Sequence, residues 1–331
     1  MTACVAGVED SSLKKVLGMG AALVDILANV SDEWIKAQGV EKGGMNAVDW
    51  PQMNRFLMGL QNPMRVPGGS TCNTMVGLSR LGGRACFISK VGDDDLGRLF
   101  KQHLQNNGVE SKMGHSTAPT GCVFSAVTPD AERSMWTFLG ASDFLASKDF
   151  VPSLFDDVSL LYAEGYRAFN GDCFKTSFTL ARSLGVETAL DFSSFNVVNI
   201  CRETIDDLLD KKMIDIIIAN EDEAFAYAGV KEEAALDVLA KKAKIAVVKI
   251  GKKGALIAQD GEVTHVEAKM VKAVDTTGAG DLWASGFLYG YLNGWDMERT
   301  GNLASLVASE VVQVMGAQIP DAGWARIKAA M

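Results

Sequence analysis

No two cysteines of this chain form a CxxC pair: Cys4, Cys72, Cys86, Cys122, Cys173 and Cys201 are scattered. Most lie in apolar stretches, so they read as reduced core thiols and not as a disulfide framework. Histidine is scarcer still, with only His103, His115 and His265, well separated in sequence. That argues against zinc, and it leaves no histidine-centred triad, so any general base is expected to be a carboxylate. Basic residues are outnumbered, 32 Lys and Arg against 41 Asp and Glu, for a net charge of −9. Nucleic acid is therefore not expected as the main partner. No apolar run approaches the roughly 18 residues a membrane-spanning helix needs. The stretch Met1–Lys15 carries Glu9 and Asp10 and no apolar centre, so no secretory signal is expected, and the cytoplasm is the expected location. Gly18-Met19-Gly20-Ala21-Ala22-Leu23 starts like a dinucleotide fingerprint but lacks its third glycine, and neither a GxxxxGK[ST] loop nor a GxSxG elbow is present.

What is present is apolar material in alternating patterns. The 331 residues are 48% hydrophobic, enough for one large α/β domain with an insertion. Strands are expected at Val16–Gly20, Arg84–Val91, Ser159–Ala163, Val186–Asp191, Met213–Ala219, Ile245–Lys249 and Ala255–Ala258. Between them the spacing predicts helices over Ser70–Leu81, Leu96–Asn107, Cys173–Leu184, Glu221–Ala228 and Leu282–Leu292. Short strands alternating with helices predict βαβ units and a mostly parallel sheet covered on both faces. Two segments break the rhythm, about 35–67 and about 116–142, the second alternating like strands around Thr128-Pro129-Asp130. Both are expected to form a small β-rich lid on a single domain spanning 1–331.

The strongest chemical signal is Asp275-Thr276-Thr277-Gly278-Ala279-Gly280-Asp281, just before an apolar helix. Two glycines around an alanine at a helix entry let successive backbone N–H groups turn toward one point, where the helix dipole also favours an anion. Asp281 would stand beside that anion; the simpler alternative makes it only a helix N-cap. Upstream, Gly68-Gly69-Ser70-Thr71-Cys72-Asn73 allows close backbone approach to a ligand, with Asn73 offering both donor and acceptor. Asn220-Glu221-Asp222-Glu223 puts Asn220 and Glu223 on one helix face, or makes Asn220 an N-cap. Lys249-Ile250-Gly251-Lys252-Lys253-Gly254 is a Gly-rich turn, a phosphate loop or a solvated hairpin.

Taken in order, these pieces resemble the ribokinase-like, or PfkB, kinases. Asp275–Asp281 is similar to their C-terminal DTxGAGD signature, Gly68–Asn73 to their GGxxxN signature, and Asn220–Glu223 to their NxxE motif. The resemblance spans residues 16 to 320 and implies a three-layer α/β/α ribokinase-like fold and ATP-dependent transfer of a phosphoryl group to a hydroxyl, taken as primary. It implies that Asp281 is the base and that the amides of Gly278, Ala279 and Gly280 hold the phosphoryl. Asp25, Gly68, Gly69 and Asn73 would bind the substrate, with Asp25 gripping two vicinal hydroxyls. Asn220, Glu223, Lys249, Gly251, Gly254 and Asn302 would bind ATP, with Glu223 holding Mg²⁺ through water. Asp275, Thr277 and Gly316 fall where some relatives bind K⁺.

The stretch from Thr120 to Ser142 and the closing Ser309–Pro320 look more like adenosine-kinase-type members. Ala21 departs from them, since they carry asparagine near that position. Trp136 and Phe138, two apart on one strand, are candidates to stack on a base or to form lid core. The expected acceptor is a nucleoside, with ribose- or fructose-type sugars as the alternative and a non-catalytic binding protein as a third reading. The chain is expected to be a monomer or a homodimer.

Overall fold

The computed structural model describes residues 14–38, 42–60, 63–130 and 132–331; Cys4 lies outside them. In chain order the strands are β1 (Lys15–Met19), β2 (Leu23–Asn29), β3 (Met45–Ala47), β4 (Met64–Gly68), β5 (Arg84–Val91), β6 (Glu110–His115) and β7 (Gly121–Val127), then β8 (Arg133–Phe138), β9 (Val158–Glu164), β10 (Glu187–Asp191), β11 (Ile216–Asn220), β12 (Ile245–Lys249), β13 (Ala255–Gln259) and β14 (Glu262–Val266). The helices are α1 (Asp32–Ala37), α2 (Trp50–Met58), α3 (Ser70–Leu81), α4 (Asp95–Asn106), α5 (Gly171–Ser183) and α6 (Phe195–Ile200), followed by α7 (Arg202–Asp210), α8 (Glu221–Ala228), α9 (Glu232–Ala240), α10 (Ala279–Leu292), α11 (Met297–Val311) and α12 (Asp321–Ala330).

Among the described residues, nine strands form one sheet in the order β14-β13-β12-β11-β10-β9-β1-β5-β6. The run from β12 to β6 is parallel, and β13 and β14 close it antiparallel. Its central strands are apolar on both sides, as a sheet covered on both faces requires. Leu17, Leu161, Leu190, Ile217 and Val248 pack into one core with residues of α5 to α9. Their alternates Val16, Leu160, Ala189, Ile216 and Val247 pack into the other with residues of α3, α4, α10 and α11. This is the expected α/β/α layering.

Five strands form a second sheet in the order β3-β8-β7-β2-β4. It includes Leu23–Asn29, which lies outside the two segments expected to build the lid; the 35–67 stretch also supplies the helices α1 and α2. Asp25 sits in β2 between Val24 and Ile26, both buried. Strand alternation sorts the small sheet's faces. Val24, Ile26, Phe124 and Trp136 join one core with Ile35 of α1 and Met53 and Phe56 of α2. The opposite face carries Asp25, Leu27, Ser125, Arg133 and Met135, which line a cleft.

That alternation decides the two lid aromatics. Trp136 is fully buried and stacks on Phe124 at 5.7 Å between ring centroids, while Phe138 packs on Trp50 at 5.3 Å. Neither lines the cleft. Both belong to the lid's packing, because their register faces the helices. No helix among the described residues is long and apolar enough to cross a membrane.

Candidate active site

The parallel strands end in a row of polar residues after apolar runs: Glu164 closes β9, Asp191 closes β10, Asn220 closes β11 and Lys249 closes β12. In an open α/β sheet the carboxyl ends of the strands are where ligands bind. Facing this edge is the start of α10. Gly278 is its N-cap with φ 75°, and Asp281 is the third helical residue. The N-cap alternative for Asp281 is therefore excluded by position. Its carboxylate instead accepts from Ser70 Oγ at 2.8 Å and from Asn73 Nδ2 at 2.9 Å. Burial raises its pKa, with the Asn73 and Ser70 hydrogen bonds and Lys249 opposing and Asp191 adding. A carboxylate poised above its usual range suits general-base work.

Asn73 and Ser70 reach Asp281 because α3 and α10 pack without a spacer. A Cβ at Gly77 would stand 2.5 Å from Ser285 Oγ, so only glycine permits this approach. The N-terminus of α3 has Gly69 as N-cap and no side-chain cap of its own. Glu164 replaces it: Oε2 accepts from the Thr71 amide at 3.0 Å, and Oε1 accepts from the Ala21 amide at 2.8 Å. One buried carboxylate thus satisfies amides at the β1–β2 junction and at the entry to α3. Ala21 itself is buried and does not line the cleft.

The cleft beside Asn73 measures about 1010 Å³. Asp25 and Arg133 are its charged lining residues, with Asn29, Ser125, Thr277 and Gln318 also polar; Leu27, Leu60, Met64, Val66, Val127, Met135 and Met315 supply apolar walls. Burial lifts Asp25 to about 6, against the pull of Arg133 and with the push of Asp281. Gly68 makes room for it, since a Cβ there would stand 2.5 Å from Asp25 Oδ2. Gly68→Ala is expected to displace that carboxylate and raise the acceptor KM about tenfold or more, the loss of roughly one charged hydrogen bond, with a smaller change in kcat. Steady-state kinetics check it, and an unchanged KM would detach Gly68 from acceptor binding.

At the neighbouring strand ends, Asn220 is the N-cap of α8 and closes a capping box with Glu223. Glu223 Oε2 accepts from the Asn220 amide and Oε1 from Asn220 Nδ2, both at 2.8 Å. Burial, then the Asp191 charge, raises Glu223 above the ordinary carboxylate range. Lys249 stands beside Asn220 in the β11–β12 register and bonds Asp191 Oδ2 at 3.2 Å. Gly251 starts the turn next to α8, where a Cβ would lie 3.5 Å from Glu221 Oε2. Gly254 has φ 101°, and a Cβ there would collide with the Val266 carbonyl. Asn302 lies elsewhere, in a groove with Lys269, Trp295, Arg299 and Met331.

Asp275, Thr277 and Gly316 do meet. Asp275 Oδ1 accepts from the Thr277 amide at 3.0 Å and Oδ2 from the Gly316 amide at 2.8 Å. Arg133 then pairs with Oδ2 at 3.2 Å, tying the small sheet to the anion loop. Sequence reading missed Ser70, Glu164 and Asp191 as site residues. The signal for the last two was a single acid ending an apolar strand.

A carboxylate in the first turn of a glycine-led helix, between a cleft with an acid in its wall and a Gly-rich turn, is the arrangement of a small-molecule kinase. The sequence pattern of the pfkB family carbohydrate kinases matches residues 57–322: the chain belongs to that family, and the fold is ribokinase-like. It is similar to adenosine kinase from Sinorhizobium meliloti, with 32% identity, a TM-score of 0.86, and coverage of 96% of this chain and 99% of that one. A probable sugar kinase protein from Rhizobium etli CFN 42 is as similar, with 32% identity, a TM-score of 0.86, and coverage of 96% and 98%. Among curated proteins, 5-dehydro-2-deoxygluconokinase from Bacillus licheniformis is 27% identical over 286 residues, 81% of this chain and 86% of that protein. The chain is thus a carbohydrate or nucleoside kinase, and ATP goes with the family as phosphoryl donor.

Proposed function

We propose that the chain transfers the γ-phosphoryl of ATP to the primary hydroxyl of a nucleoside, with adenosine the foremost acceptor. The observation that carries this is the cleft wall. A polyhydroxylated sugar presents hydroxyls all round and calls for polar partners throughout. Here the charged groups are Asp25 and Arg133, joined by Asn29, Asn73, Ser125, Thr277 and Gln318, while two leucines, two valines and three methionines give the cleft a substantial apolar wall. That mixture suits a ribose against the polar groups and a flat, weakly hydrated base against the apolar wall. Resemblance to an adenosine kinase over nearly the whole chain supports the same reading.

In this reading Asp25 takes the vicinal hydroxyls, and the small sheet acts as a lid that keeps water out. Asp281 accepts the hydroxyl proton as the oxygen attacks phosphorus, and the amides of Gly278, Gly280 and Asp281 hold the phosphoryl oxygens; the Ala279 amide, expected to join them, donates instead to the Thr276 carbonyl at 3.1 Å. Positioning and charge stabilisation are most of what phosphoryl transfer requires. Among the described residues no group of three His, Cys, Asp or Glu forms a metal cage. Mg²⁺ fits as an ion carried on the phosphates and held through water near Glu223, where it would offset phosphate charge. Five cysteines, Cys72, Cys86, Cys122, Cys173 and Cys201, are buried and unpaired, in keeping with a reducing cytoplasm.

The test is a kinase assay with Mg²⁺ and ATP over adenosine, other nucleosides, ribose, fructose and 5-dehydro-2-deoxygluconate. A nucleoside is expected to give the highest kcat/KM. Turnover of the sugars without any nucleoside would overturn the substrate reading.

A further inference from the structure

Lys249 and Asp191 occupy the centre of the nucleotide edge and call for a specific role. Lys249 ends β12 and Asp191 ends β10, with β11 between them. The lysine reaches across so that Nζ lies 3.2 Å from Asp191 Oδ2, and the two side chains are only 14% and 7% exposed. The same Nζ lies 3.2 Å from where a Cβ of Gly280 would stand. The ammonium therefore sits on the first turn of α10, next to amides that already concentrate positive potential. A cation at a helix N-terminus is electrostatically unfavourable unless an anion lies between them. Asp191 offsets part of this from the far side. It is itself fixed, because its other oxygen accepts from the Ser193 amide at 2.8 Å.

Resting on the phosphoryl-transfer reading above, we infer that Lys249 is a catalytic cation that donates an N–H to a non-bridging oxygen of the transferring phosphoryl, and that Asp191 is the positioning residue that aims it. In the reaction, the acceptor oxygen forms its bond to phosphorus while its proton passes to Asp281. The bond from phosphorus to the β-phosphate oxygen breaks, and its electron pair leaves with ADP. Lys249 keeps its protons throughout. The α10 amides approach the phosphoryl from one side and the ammonium from another, so neither has to move as charge redistributes. This gives the site a point charge whose position depends on two strand ends and not on the mobile substrate. Sequence reading grouped Lys249 with the Gly-rich turn; its geometry places it with the reacting group.

The test compares the full-length wild type with Lys249→Met, Lys249→Arg, Asp191→Asn and the Lys249→Met/Asp191→Asn double variant, at saturating Mg²⁺, ATP and the best nucleoside. Lys249→Met is expected to lower kcat by about 10²- to 10³-fold, the scale for removing one charge-stabilising donor, with the nucleoside KM changed less than about threefold. Lys249→Arg keeps the charge and is expected to recover at least about a tenth of wild-type kcat, which guards against a folding defect in the methionine variant. Asp191→Asn is expected to lose about tenfold alone and nothing further in the Lys249→Met background, since a residue that acts only through Lys249 cannot be missed once Lys249 is gone. An active wild type with Lys249→Met within threefold of it overturns the role of Lys249. An Asp191→Asn loss that persists in the double variant overturns the positioning. Absence of wild-type turnover with every acceptor overturns the phosphoryl-transfer reading on which both depend.

Discussion

Asp281→Asn is expected to reduce kcat at least about 10²-fold, the lower range for removing a general base, while the protein folds and binds ATP as before. Asparagine has the same shape as the aspartate, and its amide oxygen can still accept from Ser70 Oγ or Asn73 Nδ2, the two partners observed at 2.8 and 2.9 Å. What disappears is the ability to take a proton. The folded state gives up one acceptor contact, offset by relief of the burial that disfavours the ionised form of Asp281. An N-cap would behave in the opposite way, with turnover preserved and the helix weakened by about 1 kcal/mol. Gly278 holds that position, so the two outcomes are separable by one turnover measurement and one thermal melt. Turnover close to wild type would remove Asp281 from the chemistry and with it the proposed mechanism.

The second large effect concerns Asp25. Asp25→Asn is expected to raise the acceptor KM by about 10²-fold or more, since two hydrogen bonds to a charged group are worth roughly 1.5–3 kcal/mol each. The same change should stabilise the empty protein at neutral pH. Burial lifts this carboxyl from 3.8 to about 6, so the folded chain holds the proton more tightly than the unfolded one. The stability this contributes is present in full below about pH 3.8 and is lost as pH rises through about 6. At pH 7 the ionised aspartate therefore costs up to about 3 kcal/mol, which asparagine relieves. Thermal melts at pH 7 and pH 4 should show the variant gaining at the first and not at the second. Nucleoside hydroxyls donate to the ionised form, so the wild-type acceptor KM should climb as pH falls below about 6. A flat KM between pH 5 and 8 would argue that Asp25 does not meet the hydroxyls.

Both predictions rest on residues visible in the sequence, and the reasons are local. Gly278-Ala279-Gly280 leads into an apolar helix whatever surrounds it, and glycine at the N-cap is needed for a φ of 75°. Asn220 and Glu223 close a capping box over four consecutive residues, which spacing alone can suggest. The apolar runs of the large sheet announced a buried parallel arrangement because both of their faces are covered. Strand β2 was harder to see. Its alternation is broken by Asp25, a polar residue turned toward a cleft that does not exist until β2, β7 and β8 pair. For the same reason the aromatic pair Trp136 and Phe138 could be placed on one strand but not on one side of the sheet. Register with β7 puts them toward the helices and leaves Arg133 and Met135 for the cleft.

The amino-acid order by itself determined the layered α/β architecture, the glycine-led helix entry and the family, because these depend on periodicity and on contacts between near neighbours. Only the tertiary structure decided which distant groups share a charge. Ser70 and Asn73 meet Asp281 across more than two hundred residues, and Asp191 aims Lys249 from two strands away. Arg133 of the small sheet clasps Asp275 of the anion loop. Such pairings arise from the packing of one helix on another and from the order of strands in a sheet, where a single missing Cβ, as at Gly77, sets whether two side chains touch.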